Sequence, residues 1–138
     1  FRRKNISLIC EMTEKEPWLF DVGQRHFLKQ LTDAGCELAL DDFGTGYSNF
    51  HYLYHIDPQV IKIDRSFTLK ALTHDYEFTL LSHMVQLTHS VQSKMCIEGI
   101  ETAEELEKIQ ELEPDYIQGY YYSIPLPAEG FFEKYEIK

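Results

Sequence analysis

Five short apolar runs, each ending on a polar or charged side chain, recur along this chain with helical patterns between them. Ile6-Ser7-Leu8-Ile9-Cys10 leads into Glu11. Leu38-Ala39-Leu40 leads into Asp41 and Asp42, and Val60-Ile61-Lys62-Ile63 into Asp64. Met95-Cys96-Ile97 leads into Glu98, and Tyr116-Ile117 into Gln118. Helical stripes separate them: Phe20, Phe27, Leu28 and Leu31, then Leu81, Met84, Val85 and Val91, then Leu106, Ile109 and Leu112. Alternating β and α units imply a parallel sheet. An open sheet would spread the polar strand ends along an edge, whereas a barrel brings them to one mouth. The pattern therefore predicts an α/β fold, a TIM-like (β/α) barrel. A full eight-unit barrel takes about 250 residues. The 138 residues here have room for about the last five units, so the expectation is the C-terminal portion of such a barrel.

The stretch Asp41-Asp42-Phe43-Gly44-Thr45-Gly46-Tyr47-Ser48 reads as strand end, glycine turn and helix start. Adjacent carboxylates repel, and they persist at such a place mainly when a cation or buried donors offset the repulsion. Lys62 and Asp64 share one strand face, which is costly unless they are paired or functional. Pro17 marks a helix start and Gly35 a helix stop. Asp57-Pro58 ends the helix after the central stretch. A long helix is predicted over 75–92 and a short one over about 128–135. Thr102-Ala103-Glu104-Glu105 matches a capping box. Asp64 also reads as a plain cap for Arg65-Ser66-Phe67.

Composition narrows the partners. With 13 basic against 23 acidic residues the net charge is −10, and no basic stripe is present for DNA or RNA. A polyanionic ligand would need help from bound metal. Cys10, Cys36 and Cys96 sit in or beside apolar runs and read as buried thiols of a reducing cytoplasm, not a disulfide framework. No apolar run approaches the roughly 18 residues of a membrane span. All six histidines fall in helical stretches, which argues against a zinc–histidine site. Tyr120, Tyr121 and Tyr122 read as packing rather than base stacking.

These motifs, in this order, resemble the EAL domain of bacterial cyclic-di-GMP phosphodiesterases. The family's Leu-Glu-(Ile/Leu)-Thr-Glu-Ser stands here as Cys10-Glu11-Met12-Thr13-Glu14-Lys15. Its Asp-Asp-Phe-Gly-(Thr/Ala)-Gly-Tyr-Ser is whole at residues 41–48, and its Leu-Lys-Ile-Asp is Ile61-Lys62-Ile63-Asp64. Ala-Glu-Gly-Val-Glu-Thr appears as Ile97-Glu98-Gly99-Ile100-Glu101-Thr102. Gln-Gly-Tyr followed by Pro-Leu-Pro appears as Gln118-Gly119-Tyr120 and Pro125-Leu126-Pro127. The Glu-Ala-Leu segment itself and the metal-binding asparagine of the next strand do not occur. The expectation is that both lie upstream of Phe1, so that residues 1–138 are a partial EAL domain.

The resemblance implies metal-dependent hydrolysis of cyclic-di-GMP to linear pGpG at a two-metal site of Mg²⁺ or Mn²⁺. It makes Glu11, Asp41, Asp42, Glu98 and Gln118 the metal ligands. Lys62 orients the water and stabilises charge on the phosphate, and Glu98 also handles the proton. Glu14 braces the loop of Gly44, Thr45 and Gly46, while Asp64 and Glu101 support loop or substrate. It further implies a homodimer through the region after Asp42, an upstream sensor or GGDEF cyclase domain, and low activity of the partial domain alone. The alternative is a non-catalytic EAL module that binds the nucleotide or a protein partner.

Overall fold

The computed structural model describes residues 7–13, 18–44 and 49–135. Five parallel strands lie in sequence order: β1 (Leu8–Met12), β2 (Cys36–Phe43), β3 (Val60–Ile63), β4 (Lys94–Glu98) and β5 (Tyr116–Gln118). Helices connect them: α1 (Val22–Asp33), α2 (Asn49–His55), α3 (Arg65–Thr73) and α4 (Asp75–Ser90), and α5 (Ala103–Gln110), with α6 (Ala128–Lys134) last.

Period-two alternation sorts each strand's side chains onto two faces. Met12, Leu38, Leu40, Ile61, Ile63, Met95 and Ile97 form one core with Leu28, Tyr52, Ala71, Leu81, Val85 and Ile109, so α1 to α5 all cover the same face. A doubly wound sheet would carry helices on both faces; a barrel segment carries them outside only. The inner face bears a separate small cluster of Ala39, Val60 and Cys96. A cavity of about 640 Å³ lies over it, bounded by Glu11, Lys62 and the chain from Tyr116 to Tyr135.

Several expectations shift by local chemistry. Pro17, read as the first helix start, lies outside the described residues, and α1 starts at Val22, where the Asp21 side chain accepts from the Gln24 amide at 2.8 Å. An acceptor that satisfies an orphan N–H fixes the start more firmly than an apolar stripe does. Gly35 ends the helix as expected, at φ 86°. The capping box at Thr102 and Glu105 forms. Helix α3 was foreshadowed only by its cap, Asp64, and not by its body: its nine residues show little amphipathic pattern, and only His74 separates it from α4.

Strand β2 holds an irregularity that the sequence hides. Leu40 pairs with Ile61 and Phe43 with Ile63, so Asp41 and Asp42 both stand opposite the single residue Lys62. This β-bulge turns Leu40 and Phe43, three residues apart, into the same helix-side core. Asp42 takes up the extra residue at φ 57°, a left-handed conformation that aspartate tolerates better than most side chains. Gly44 follows at φ 97°.

Candidate functional site: an ion cluster at the strand ends

Lys62 is the centre of the site. Its register on β3 aims it into the inner face, and it is only 7% exposed. Nζ donates to Glu11 Oε1 at 2.7 Å, from the end of β1. Glu98 Oε1, from the end of β4, lies 2.7 Å away, and Asp41 Oδ1, from β2, 3.5 Å. Three strands thus bring three carboxylates to one ammonium.

The charges tune one another. Burial works against the Lys62 cation, but the hydrogen bonds of Glu11 and Glu98 and the charges of Glu98 and Asp41 overcome it, so its pKa rises. Burial also pushes the Glu98 carboxyl up. Lys62 opposes that rise, while Asp41 and Glu11 add to it. Burial therefore makes Glu98 readier to hold a proton than an ordinary exposed glutamate, whereas Lys62 stays charged.

Two oxygens remain incompletely satisfied. Asp41 Oδ1 and Glu98 Oε1 are buried without a hydrogen bond of good geometry, although both stand near the Lys62 charge. Buried acceptors of this kind are uncommon in native proteins and point to a missing partner. Oxygen donors from carboxylates suit hard dications such as Mg²⁺ or Mn²⁺, so the donor chemistry fits the metals that the resemblance implies. No cage of three or more His, Cys, Asp or Glu side chains is assembled among the described residues. Lys62 occupies the point on which Glu11, Asp41 and Glu98 converge.

The other candidates fall into place unevenly. Asp42 is half-buried beside Asp41, across from Lys62. Gln118 pairs in register with Glu98 on β5, and its backbone oxygen accepts from the Gly99 and Ile100 amides at 2.8 and 3.2 Å. Asp64 caps α3, accepting from the Ser66 amide at 2.8 Å, so its plain structural reading is met. Glu101 pairs with Arg65 at 2.5 Å instead of standing free at the mouth. Gly44 packs near Met84 and Phe67. Glu14, Thr45 and Gly46 lie outside the described residues.

Sequence reasoning missed four contributors. Cys96 is the register partner of Lys62 and lies buried on the inner face beneath the ions. Arg65 sits at the mouth because it follows Asp64 at a strand end, a position signal that was available. Tyr120 and Tyr122, taken as packing residues, are largely exposed and border the inner cavity. The cysteines are free, with Cys36 and Cys96 buried and Cys10 half-buried. No helix among the described residues is long and apolar enough to cross a membrane.

Known proteins are similar to this chain in sequence and fold. The chain is 34% identical over 126 residues to the probable cyclic di-GMP phosphodiesterase PdeG of Escherichia coli, covering 91% of this chain and 25% of PdeG. It therefore spans about a quarter of that relative's length. The EAL enzyme Bd1971, solved with cAMP and cyclic-di-GMP, superimposes with a TM-score of 0.83 at 32% identity. That match covers 91% of this chain and 33% of Bd1971. Klebsiella pneumoniae BlrP1, solved as a manganese/cyclic-di-GMP complex, matches with a TM-score of 0.76 at 31% identity, over 85% of this chain and 30% of BlrP1. The five parallel units thus have the fold of part of a TIM-like barrel, as the strand pattern predicted. The EAL domain sequence model matches residues 5–125, and with these likenesses it establishes that the chain belongs to the EAL domain family.

Proposed function

We propose that this chain is the C-terminal part of a cyclic-di-GMP phosphodiesterase that hydrolyses its substrate to linear pGpG. The observation that carries the reading is the convergence of Glu11, Asp41 and Glu98 on buried Lys62 at adjoining strand ends. In the hydrolysis, water oxygen bonds to phosphorus, one ester P–O bond breaks, and the leaving hydroxyl takes a proton. Glu11, Asp41, Asp42, Glu98 and Gln118 would hold Mg²⁺ or Mn²⁺. Bound there, the metal supplies Lewis acidity and a nucleophile near neutral pH.

The remaining work belongs to side chains of this chain. The Lys62 ammonium orients the attacking water and offsets charge that builds on the phosphoryl oxygens. Glu98, its affinity for protons raised by burial, receives or returns the proton. The left-handed turn at Asp42 sets both aspartates opposite Lys62, so ligands and cation share one mouth.

The reading treats residues 1–138 as a partial domain. The Glu-Ala-Leu strand and the asparagine strand complete the ligand set in the whole domain, and the 138-residue chain alone turns over negligibly. The whole protein is cytoplasmic, carries a sensor or GGDEF domain, and dimerises through the region after Asp42. A non-catalytic module is the competing reading. It is favoured by one observation: the Lys62 ammonium itself occupies the point on which Glu11, Asp41 and Glu98 converge.

The test is cyclic-di-GMP hydrolysis with Mn²⁺ by the complete domain, with pGpG separated and quantified. Loss of one transition-state donor costs roughly 10²–10³ in kcat, so Lys62→Ala and Glu98→Ala should each fall by at least that much. Nucleotide binding with no pGpG from the unaltered domain would establish the non-catalytic module instead.

A further inference from the structure

We propose that Arg65 is a positioning residue that holds Glu98 against Lys62 by clamping the turn after β4. The inference rests on the reading of Lys62 and Glu98 as the reacting pair, and its test uses no catalytic readout.

The turn is pinched from two sides. Gly99 lies at φ 86°, directly after Glu98. A Cβ there would fall 2.3 Å from Arg65 Cγ, 2.7 Å from Cβ and 3.0 Å from Cδ, so the Arg65 stem already fills that space. On the other side, a Cβ on Gly119 would lie 2.0 Å from the Ile100 oxygen and 2.5 Å from its nitrogen. The Gly99 and Ile100 amides both donate to the Gln118 oxygen, and the Tyr121 amide donates to the Ile100 oxygen at 3.0 Å. Ile100 itself is completely buried. The backbone between Glu98 and Glu101 is thus held between the stem that begins α3 and the end of β5.

The stem matters more than the charge. The Arg65–Glu101 pair is half-exposed on both partners, and such pairs contribute about 0–1 kcal/mol. Long charged side chains often act through their carbon stems, which cover other surface while the head stays in water. The contact with Gly99 uses Cβ, Cγ and Cδ, all of which glutamine also has. Truncation to alanine removes two of the three. Glu98 is one peptide bond from Gly99, so freedom gained in the turn passes directly to its carboxylate.

The experiment uses the complete domain and NMR. Backbone amide exchange reads the turn, and the Lys62 side-chain ammonium resonance reads the Glu98 contact. Arg65→Ala should speed exchange at Gly99 and Ile100 at least tenfold while the Met95 and Cys96 amides stay protected. It should also shift the Lys62 ammonium resonance or broaden it away. Arg65→Gln should leave all of these as in the unaltered chain. Unchanged exchange and an unchanged Lys62 resonance in Arg65→Ala would overturn the proposal. So would an Arg65→Gln variant that shows the alanine phenotype, and this second arm keeps the proposal exposed even if Arg65→Ala does not fold.

Discussion

Glu98 Oε1 stands 2.7 Å from Lys62 Nζ, two residues past Cys96, the residue paired with Lys62 across the parallel ladder. The pair joins neighbouring strand ends, and its two members respond oppositely to burial. The Lys62 charge is rescued by its carboxylate neighbours, whereas the Glu98 charge is disfavoured despite Lys62.

That asymmetry gives a pH prediction. Glu98 binds its proton more tightly folded than unfolded, chiefly because of burial. Its contribution to stability is therefore fully present below the ordinary glutamate pKa and is lost as pH rises through the raised folded value. Glu98→Gln removes a charge that the fold disfavours. At pH 7 the variant should melt a few degrees higher than the unaltered chain, with a smaller difference below pH 4. Scanning calorimetry at the two pH values checks it; a lower melting point at pH 7 would mean that the Lys62 contact outweighs desolvation.

A second prediction sets two glycines against each other. Gly119 faces the Ile100 backbone so closely that an added methyl cannot be accommodated without moving β4 or β5, while Gly130, in α6, has nothing within 4 Å of an added Cβ. Gly119→Ala should cost about 2 kcal/mol or more by overpacking. Gly130→Ala should gain about 0.4–1 kcal/mol by restricting the unfolded chain at a helical position. Urea melts of the two variants test both signs at once.

These glycines also show what the sequence could and could not disclose. The five strands were legible because each is a short apolar run closed by turn residues, and the ion cluster was legible because Glu11, Asp41, Lys62 and Glu98 stand at strand ends within multi-residue motifs. The bulge at Asp41 and Asp42 was not legible. It depends on the pairing of Leu40 with Ile61 and Phe43 with Ile63, and pairing between strands leaves no mark on either strand alone. Of helix α3 only the cap at Asp64 was legible, because Arg65 to Thr73 packs through Thr68 and Ala71, residues without a strong apolar signature. Arg65 reads as a surface arginine until the space above Gly99 is known.

A third prediction concerns the thiols. The Cys96 thiol is pushed up to about 11, first by burial and then by the charge of Glu98, with Lys62 opposing. The thiolate is the reactive form, so Cys96 should resist alkylation at pH 8 in the folded chain, while half-buried Cys10 reacts first. In sign, the buried neutral thiol contributes stability that is present below pH 9 and is lost as pH rises through about 11. Mass spectrometry of tryptic peptides after timed iodoacetamide labelling reads the order; early labelling of Cys96 would contradict the burial.

The last prediction concerns association of the 138-residue chain. In the described sheet, β1 and β5 are the two edges, and a sheet edge offers unpaired N–H and C=O groups to any passing strand. Leu8 and Ile9 on β1 are 53% and 44% exposed, so this edge is apolar as well as open. The inner face adds a cavity of about 640 Å³ bordered by Ile9, Tyr116 and Phe131. Tyr120, Tyr121, Tyr122, Phe131 and Phe132 extend an exposed aromatic surface beside it. Contiguous apolar surface of this kind drives association, and edge pairing gives the association a geometry. The net charge of −10 opposes it, so raising the salt should strengthen it as repulsion is screened. Light scattering over a concentration series should show dimers or larger species, more of them at higher salt, and replacing Ile9 with lysine should shift the distribution toward monomer. A monodisperse monomer at high concentration and high salt, with a cooperative melt, would show that five barrel units shield their own edges.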